Sequence, residues 1–215
     1  MKSFLIIGMG TFGHHLCKSL AQYKCEMMIA DINPENVEDM LGYVAGAKIC
    51  DCTNPAVLES FDIPSFDACF VCIGSNFQNS LEITSLLKEL GAKKVFSKAT
   101  EDIQAKFLLR CGADEVIYPE RDAALRVAAR ESSDSIFDYF QLSGECAIYE
   151  IEVSPKWVGK SIAKLDIRRK YGVSIFALKE GTAIRPVTSP DHVFKEKEHV
   201  LVFGYSRDIE KIITR

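Results

Sequence analysis

Gly8, Gly10 and Gly13 stand at the spacing G-x-G-x-x-G, and Asp31 follows eighteen residues beyond the last of them. Glycines at this spacing can cradle a pyrophosphate. The first permits a tight turn, the second lets the backbone come close to the anion, and the third lets a helix pack against the preceding strand. A helix that opens at this turn adds unpaired N–H groups and the positive end of its dipole. Met9, Thr11 and Phe12 fill the intervening positions. A carboxylate at Asp31 suits the hydroxyls of a ribose and would repel a 2′-phosphate. Ile32 and Asn33 continue the turn that would hold that sugar.

Such a site needs strands to carry it, and the sequence supplies them. Phe4 to Ile7 is an unbroken apolar run, as expected of a strand buried on both faces of a parallel sheet. Phe12, Leu16 and Leu20, with Cys17 on the same side, recur at helical spacing directly after the glycines. Further strands are expected over 27–30, 47–50, 68–73, 94–97 and 115–118. Helices are expected over 34–41, 56–61, 77–90, 103–111 and 119–131. Strands alternating with helices in this way give an α/β fold, a doubly wound Rossmann-type parallel sheet.

In such a sheet a ligand lies outside the carboxyl ends of the strands. That places Asp51, Cys52, Thr53, Ile73, Gly74, Ser75, Lys98 and Glu120 beside the glycine turn and Asp31. Asp51 and Thr53 either face an adenine edge or cap the following helix. Lys98 either meets a phosphate or is a solvated strand-end lysine. Gly74 brings backbone without a side chain toward the ligand.

Composition narrows the function classes. The chain has 215 residues, an apolar fraction of 47% and a net charge of −4. That balance gives no electrostatic footing for nucleic acid. No apolar run reaches the roughly 18–20 residues that cross a bilayer, and nothing like a leader precedes the first strand. Work at a membrane is therefore expected to go through a partner. Cys69 and Cys72 form C-x-x-C, yet they fall in an apolar strand without the helix N-terminus of a redox pair or the second pair of a zinc site. Buried, reduced thiols are expected at these and the other six cysteines.

Past Glu131 the pattern changes. Ser132–Gln141, with Ile136, Phe137, Tyr139 and Phe140, reads as an aromatic helix, either an arm packing against a second copy or a helix covering the sheet edge. Strands over 147–153, 173–178 and 199–203, with helices over 157–165 and 207–213, then make a second, small α+β domain. The organisation is a nucleotide domain over 1–131, a crossover helix or linker over 132–144 and the small domain over 145–215.

Gly8-Met9-Gly10-Thr11-Phe12-Gly13, Asp31-Ile32-Asn33, Cys72-Ile73-Gly74, Gly112-Ala113-Asp114 with Tyr118-Pro119-Glu120, and Arg168-Arg169-Lys170-Tyr171-Gly172-Val173 stand in one register. On these residues the chain resembles the RCK (regulator of potassium conductance) proteins, in particular the Ktr/Trk-type regulators of potassium uptake built from TrkA-N and TrkA-C domains. The resemblance spans nearly the whole chain. It implies a cytoplasmic regulatory subunit, not an enzyme, at the inner face of the membrane. It further implies a homodimer that assembles into an octameric ring beneath a membrane potassium-translocating subunit.

An adenine nucleotide, NAD(H), ADP or ATP, would then occupy the crevice and gate potassium flux through the shape of the ring. Gly8, Gly10 and Gly13 would hold phosphates, and Asp31 and Asn33 the ribose. Glu120 would lie near the terminal phosphates or a divalent cation or sodium bridging them. Ile167, Arg168, Ile175 and Pro190 match positions where some relatives bind cyclic di-AMP. Members commonly carry arginine where this chain has Thr11, which weakens the expected preference for ATP over ADP. The rival class, an NAD(H)-dependent oxidoreductase or redox sensor, needs a proton-transfer group near a nicotinamide. The remaining histidines, His192 and His199, lie far along the chain.

Overall fold

The computed structural model describes residues 1–213, and the chain divides into two compact units, one of Met1–Arg121 and one from Asp122 onward. In the first unit β1 (Lys2–Ile7), α1 (Thr11–Leu20), β2 (Cys25–Asp31), α2 (Pro34–Glu38), β3 (Gly46–Ile49) and α3 (Pro55–Glu59) follow in order. Next come β4 (Ala68–Val71), α4 (Phe77–Glu89), β5 (Val95–Lys98), α5 (Asp102–Arg110), β6 (Glu115–Ile117) and the start of α6 (Pro119–Glu131). The sheet runs β3-β2-β1-β4-β5-β6 with parallel pairing throughout. This is the doubly wound arrangement the sequence leads one to expect.

The unbroken apolar runs are explained by burial on two sides. Leu5 and Ile7 point into one core with Leu58, Ile83 and Leu87, while Ile6 points into the other with Met9, Cys17 and Met40. Cys69 and Cys72 likewise pack into opposite cores. Burial pushes both thiols up to about 12, so they stay protonated. All eight cysteines are free. Asn33, Asn54 and Asn76 cap α2, α3 and α4, each accepting a backbone N–H at 3.1 Å.

The second unit adds β7 (Ile136–Ser143), β8 (Cys146–Glu152), α7 (Ile162–Leu165), α8 (Ile167–Tyr171), β9 (Ser174–Glu180), β10 (Ala183–Pro186), β11 (His199–Tyr205) and α9 (Ser206–Ile213). Its antiparallel sheet runs β10-β9-β11-β8-β7. Trp157, Phe194, Val200, Val202 and Ile209 fill one core beneath it.

The helix expected over 132–141 is absent, and with it the crossover helix of 132–144. Ile136–Ser143 is a strand, paired antiparallel with β8 through Tyr139↔Tyr149 and Phe140↔Ile148. Gly144 at φ +47° closes the hairpin, and the aromatic residues find partners across the ladder, with Tyr139 edge-on to Tyr149 at 5.0 Å. The segment therefore packs on its own chain, not as a helical arm. The helix expected over 157–165 is shortened to α7, because Trp157-Val158-Gly159-Lys160 forms turns, with Gly159 at φ +76°.

Candidate nucleotide-binding site

Strand order reverses between β1 and β4, and a cleft of about 310 Å³ opens at their carboxyl ends. Gly8 and Gly10 from the first turn, Asp31 and Asn33 from the end of β2, and Ile73 and Gly74 from the end of β4 line it. Ile32, Asp51, Cys52, Thr53 and Ser75, also expected, stand on its walls. Not every expected residue is there. Met9, Thr11, Phe12, Gly13, Lys98 and Glu120 do not line the cleft.

The glycines divide the labour. At Gly8, φ is +90°, and a Cβ would stand 2.8 Å from the Ile73 side chain. At Gly13 a Cβ would lie 2.2 Å from the Gly8 carbonyl oxygen, so this glycine is what lets α1 close against the turn. At Gly10 a Cβ would meet nothing within 4 Å; it would project into open space. Gly10 is the N-cap of α1, no side chain caps that helix, and its first turn carries no acid. The first amides are thus left for an anion.

Asp31 is half-buried and does two jobs. Its Oδ2 accepts the Met9 N–H at 2.5 Å and its Oδ1 the Asn33 N–H at 2.8 Å. Met9 itself is wholly buried. Asp51 Oδ1 accepts the Thr53 hydroxyl at 2.7 Å and its N–H at 3.0 Å, and these bonds hold the carboxyl below the usual aspartate range. Asp51 and Thr53 bind each other, while the cap of α3 is Asn54.

Lys98 donates to Glu120 Oε1 at 2.6 Å, just behind Gly74, whose Cβ would lie 3.3 Å from the lysine nitrogen. That bond holds the Glu120 carboxyl below its ordinary value. Among the described residues no three His, Cys, Asp or Glu side chains converge as a metal site. His14, a turn into α1, hydrogen-bonds the Asn36 carbonyl at 3.1 Å.

Sequence reasoning passed over Asn36, Asn76 and Asn79, which also line the cleft. Only Asn76 carried a signal, as the N-cap of α4 at the end of the loop that follows β4. In the second unit Ile167 is a core residue and Ile175 packs against that core, while Arg168 and Pro190 are exposed. The structure gathers these four into no common cavity among those found in the second unit. Among the described residues no helix is long and apolar enough to cross a membrane.

Comparison with known proteins gives consistent findings. Residues 4–119 match the TrkA-N domain and residues 146–215 the TrkA-C domain. Ktr system potassium uptake protein C of Bacillus subtilis (strain 168) is 36% identical over 214 residues, covering 100% of this chain and 97% of that protein. Ktr system potassium uptake protein A of the same strain is 35% identical over 210 residues, with 98% and 95% covered. The GsuK channel bound to NAD shares the fold, with TM-score 0.69 and 16% identity over 96% of this chain. This chain spans only 38% of that one.

Proposed function

Because this chain belongs to the TrkA-N/TrkA-C family of potassium uptake proteins, we propose that it is a nucleotide-binding regulatory subunit of a potassium transporter. An adenine nucleotide, NAD(H), ADP or ATP, occupies the cleft at the β1/β4 switch. Its phosphates lie on the first turn of α1 and its ribose on Asp31. The observation that carries this reading is the uncapped start of α1 opening beside Gly10 onto a cleft walled by Asp31. The NAD-bound GsuK channel, which has the same fold, supports the ligand class.

Both carboxylates lining the cleft are held by neighbouring N–H groups, Asp31 by Met9 and Asn33, Asp51 by Thr53. We therefore read the site as holding a nucleotide, with no proton-transfer role assigned to it. Regulation follows from differential binding. A nucleotide that favours one assembly shape over another shifts the population, and one with equal affinity for both shifts nothing. The assembly is a homodimer building to an octameric ring against a membrane potassium-translocating subunit. A cation bridging the terminal phosphates would draw Glu120 away from Lys98.

Calorimetric titration with ADP, ATP, NADH and NAD tests the site. Asp31→Asn removes the charge and sets an amide NH2 against one of the two N–H groups that Asp31 accepts, so it should weaken binding by about tenfold or more. Unchanged affinity in a folded Asp31→Asn protein would take Asp31 out of the ribose contact.

A further inference from the structure

Cys50 and Cys52 lie on the turn between β3 and α3, with their sulfurs 3.9 Å apart. Both line the cleft, flanking Asp51. Cys50 is half-buried and Cys52 buried. A sulfur separation of 3.9 Å is contact, and a disulfide needs a further approach of roughly 2 Å. Both cysteines lie in the turn between β3, which ends at Ile49, and α3, which starts at Pro55.

We propose that Cys50 and Cys52 are a reversible dithiol–disulfide pair, closed by a peroxide, and that closing it weakens nucleotide binding in the cleft. The second half of this inference rests on the nucleotide reading given above; the first half does not. Cys50, the more accessible thiol, attacks the peroxide as thiolate. An S–O bond forms, the O–O bond breaks, and the departing hydroxide takes a proton to become water. The Cys52 sulfur then attacks the Cys50 sulfenic sulfur. The S–S bond forms as the S–O bond breaks, and the thiol proton leaves with the hydroxide as a second water. Two thiols lose two electrons and two protons, and one peroxide becomes two waters.

The coupling to the ligand is structural. The Cys50 N–H donates to the Asp31 carbonyl at 2.9 Å, so moving Cys50 pulls on the strand end that presents the ribose carboxylate. The same movement disturbs the Asp51–Thr53 turn, which also lines the cleft. Linkage makes the effect reciprocal, so bound nucleotide should disfavour the disulfide.

The test uses the full chain, first reduced, then treated with hydrogen peroxide, alkylated and mapped by mass spectrometry. The expected product has lost two hydrogens in one peptide joining Cys50 to Cys52, and dithiothreitol restores it. The Kd for ADP should rise by about tenfold on oxidation, and saturating ADP should slow the bridge. Cys50→Ser and Cys52→Ala provide two independent controls. In whichever folds, peroxide should leave the ADP Kd where it stood for that same untreated variant. If the reduced chain binds ADP but no Cys50–Cys52 bridge forms, the inference is overturned while the nucleotide reading stands. A bridge with unchanged ADP affinity overturns the coupling. Failure of the reduced chain to bind any of the four nucleotides, seen before peroxide is added, overturns the nucleotide reading and the coupling together.

Discussion

The three glycines of the first turn differ in what they protect, and alanine should separate them. At Gly13 a methyl would lie 2.2 Å from the Gly8 carbonyl, backbone that has nowhere to go. Gly13→Ala should cost about 1–3 kcal/mol, the usual range for overpacking, and thermal melting reads it. At Gly10 the methyl meets no protein atom within 4 Å. Gly10→Ala should hold stability to within about 1 kcal/mol, yet reduce ADP affinity, because the methyl stands where the phosphates would. Equal melting losses in the two variants would contradict this division. Thr11 is exposed at the first position of α1, where the resemblance implies an arginine in other members. Thr11→Arg should improve ATP binding by about tenfold while leaving ADP nearly unchanged, as expected of a guanidinium reaching a third phosphate. Parallel titrations check it; equal gains for both would indicate general attraction only. The glycines and Asp31 were legible because phosphate and ribose chemistry dictates their spacing. Asn36 and Asn79 were not, since they reach the cleft from helices whose positions only the folded sheet reveals.

Among the elements, the strands of the parallel sheet were readable because burial on both faces leaves nothing but apolar residues in a run. β7 was not. Ile136-Phe137-Asp138-Tyr139-Phe140 has no clean period of its own and becomes a strand only by pairing with β8. β10 escaped notice because all of Ala183–Pro186 is exposed. What fastens α6 to β7 is Arg126, whose guanidinium gives Asp138 two hydrogen bonds at 2.7 and 2.6 Å and lies 4.4 Å over the Phe140 ring. The Arg126 bond lowers the Asp138 pKa. A carboxyl with a depressed folded value adds stability above its unfolded value, about 3.9, and loses it as pH falls through the folded one. Asp138→Asn should therefore unfold at lower denaturant than the parent at pH 7, and the gap should shrink as pH drops below about 4. A gap that persists unchanged into acid would show that charge is not its source.

For the molecule as a whole, the proposed ring requires more than one copy. Light scattering should give a mass several times that of one chain, and the hydrodynamic radius should differ between ADP and ATP. A species that stays monomeric with either nucleotide would remove the ring from the proposal. The division near Arg121 also explains why the change of pattern was readable in the sequence while its position was not. It falls inside α6, an uninterrupted helix with no break in the chain to mark it. One feature of the first unit sets the tempo of all this. The Met9 N–H is clasped by Asp31, a bond that fixes the shape of the turn after β1. A turn held by its own hydrogen bonds need not rearrange to receive a ligand, so in the proposed site nucleotides should differ in how long each one stays. The clock of such a switch is departure.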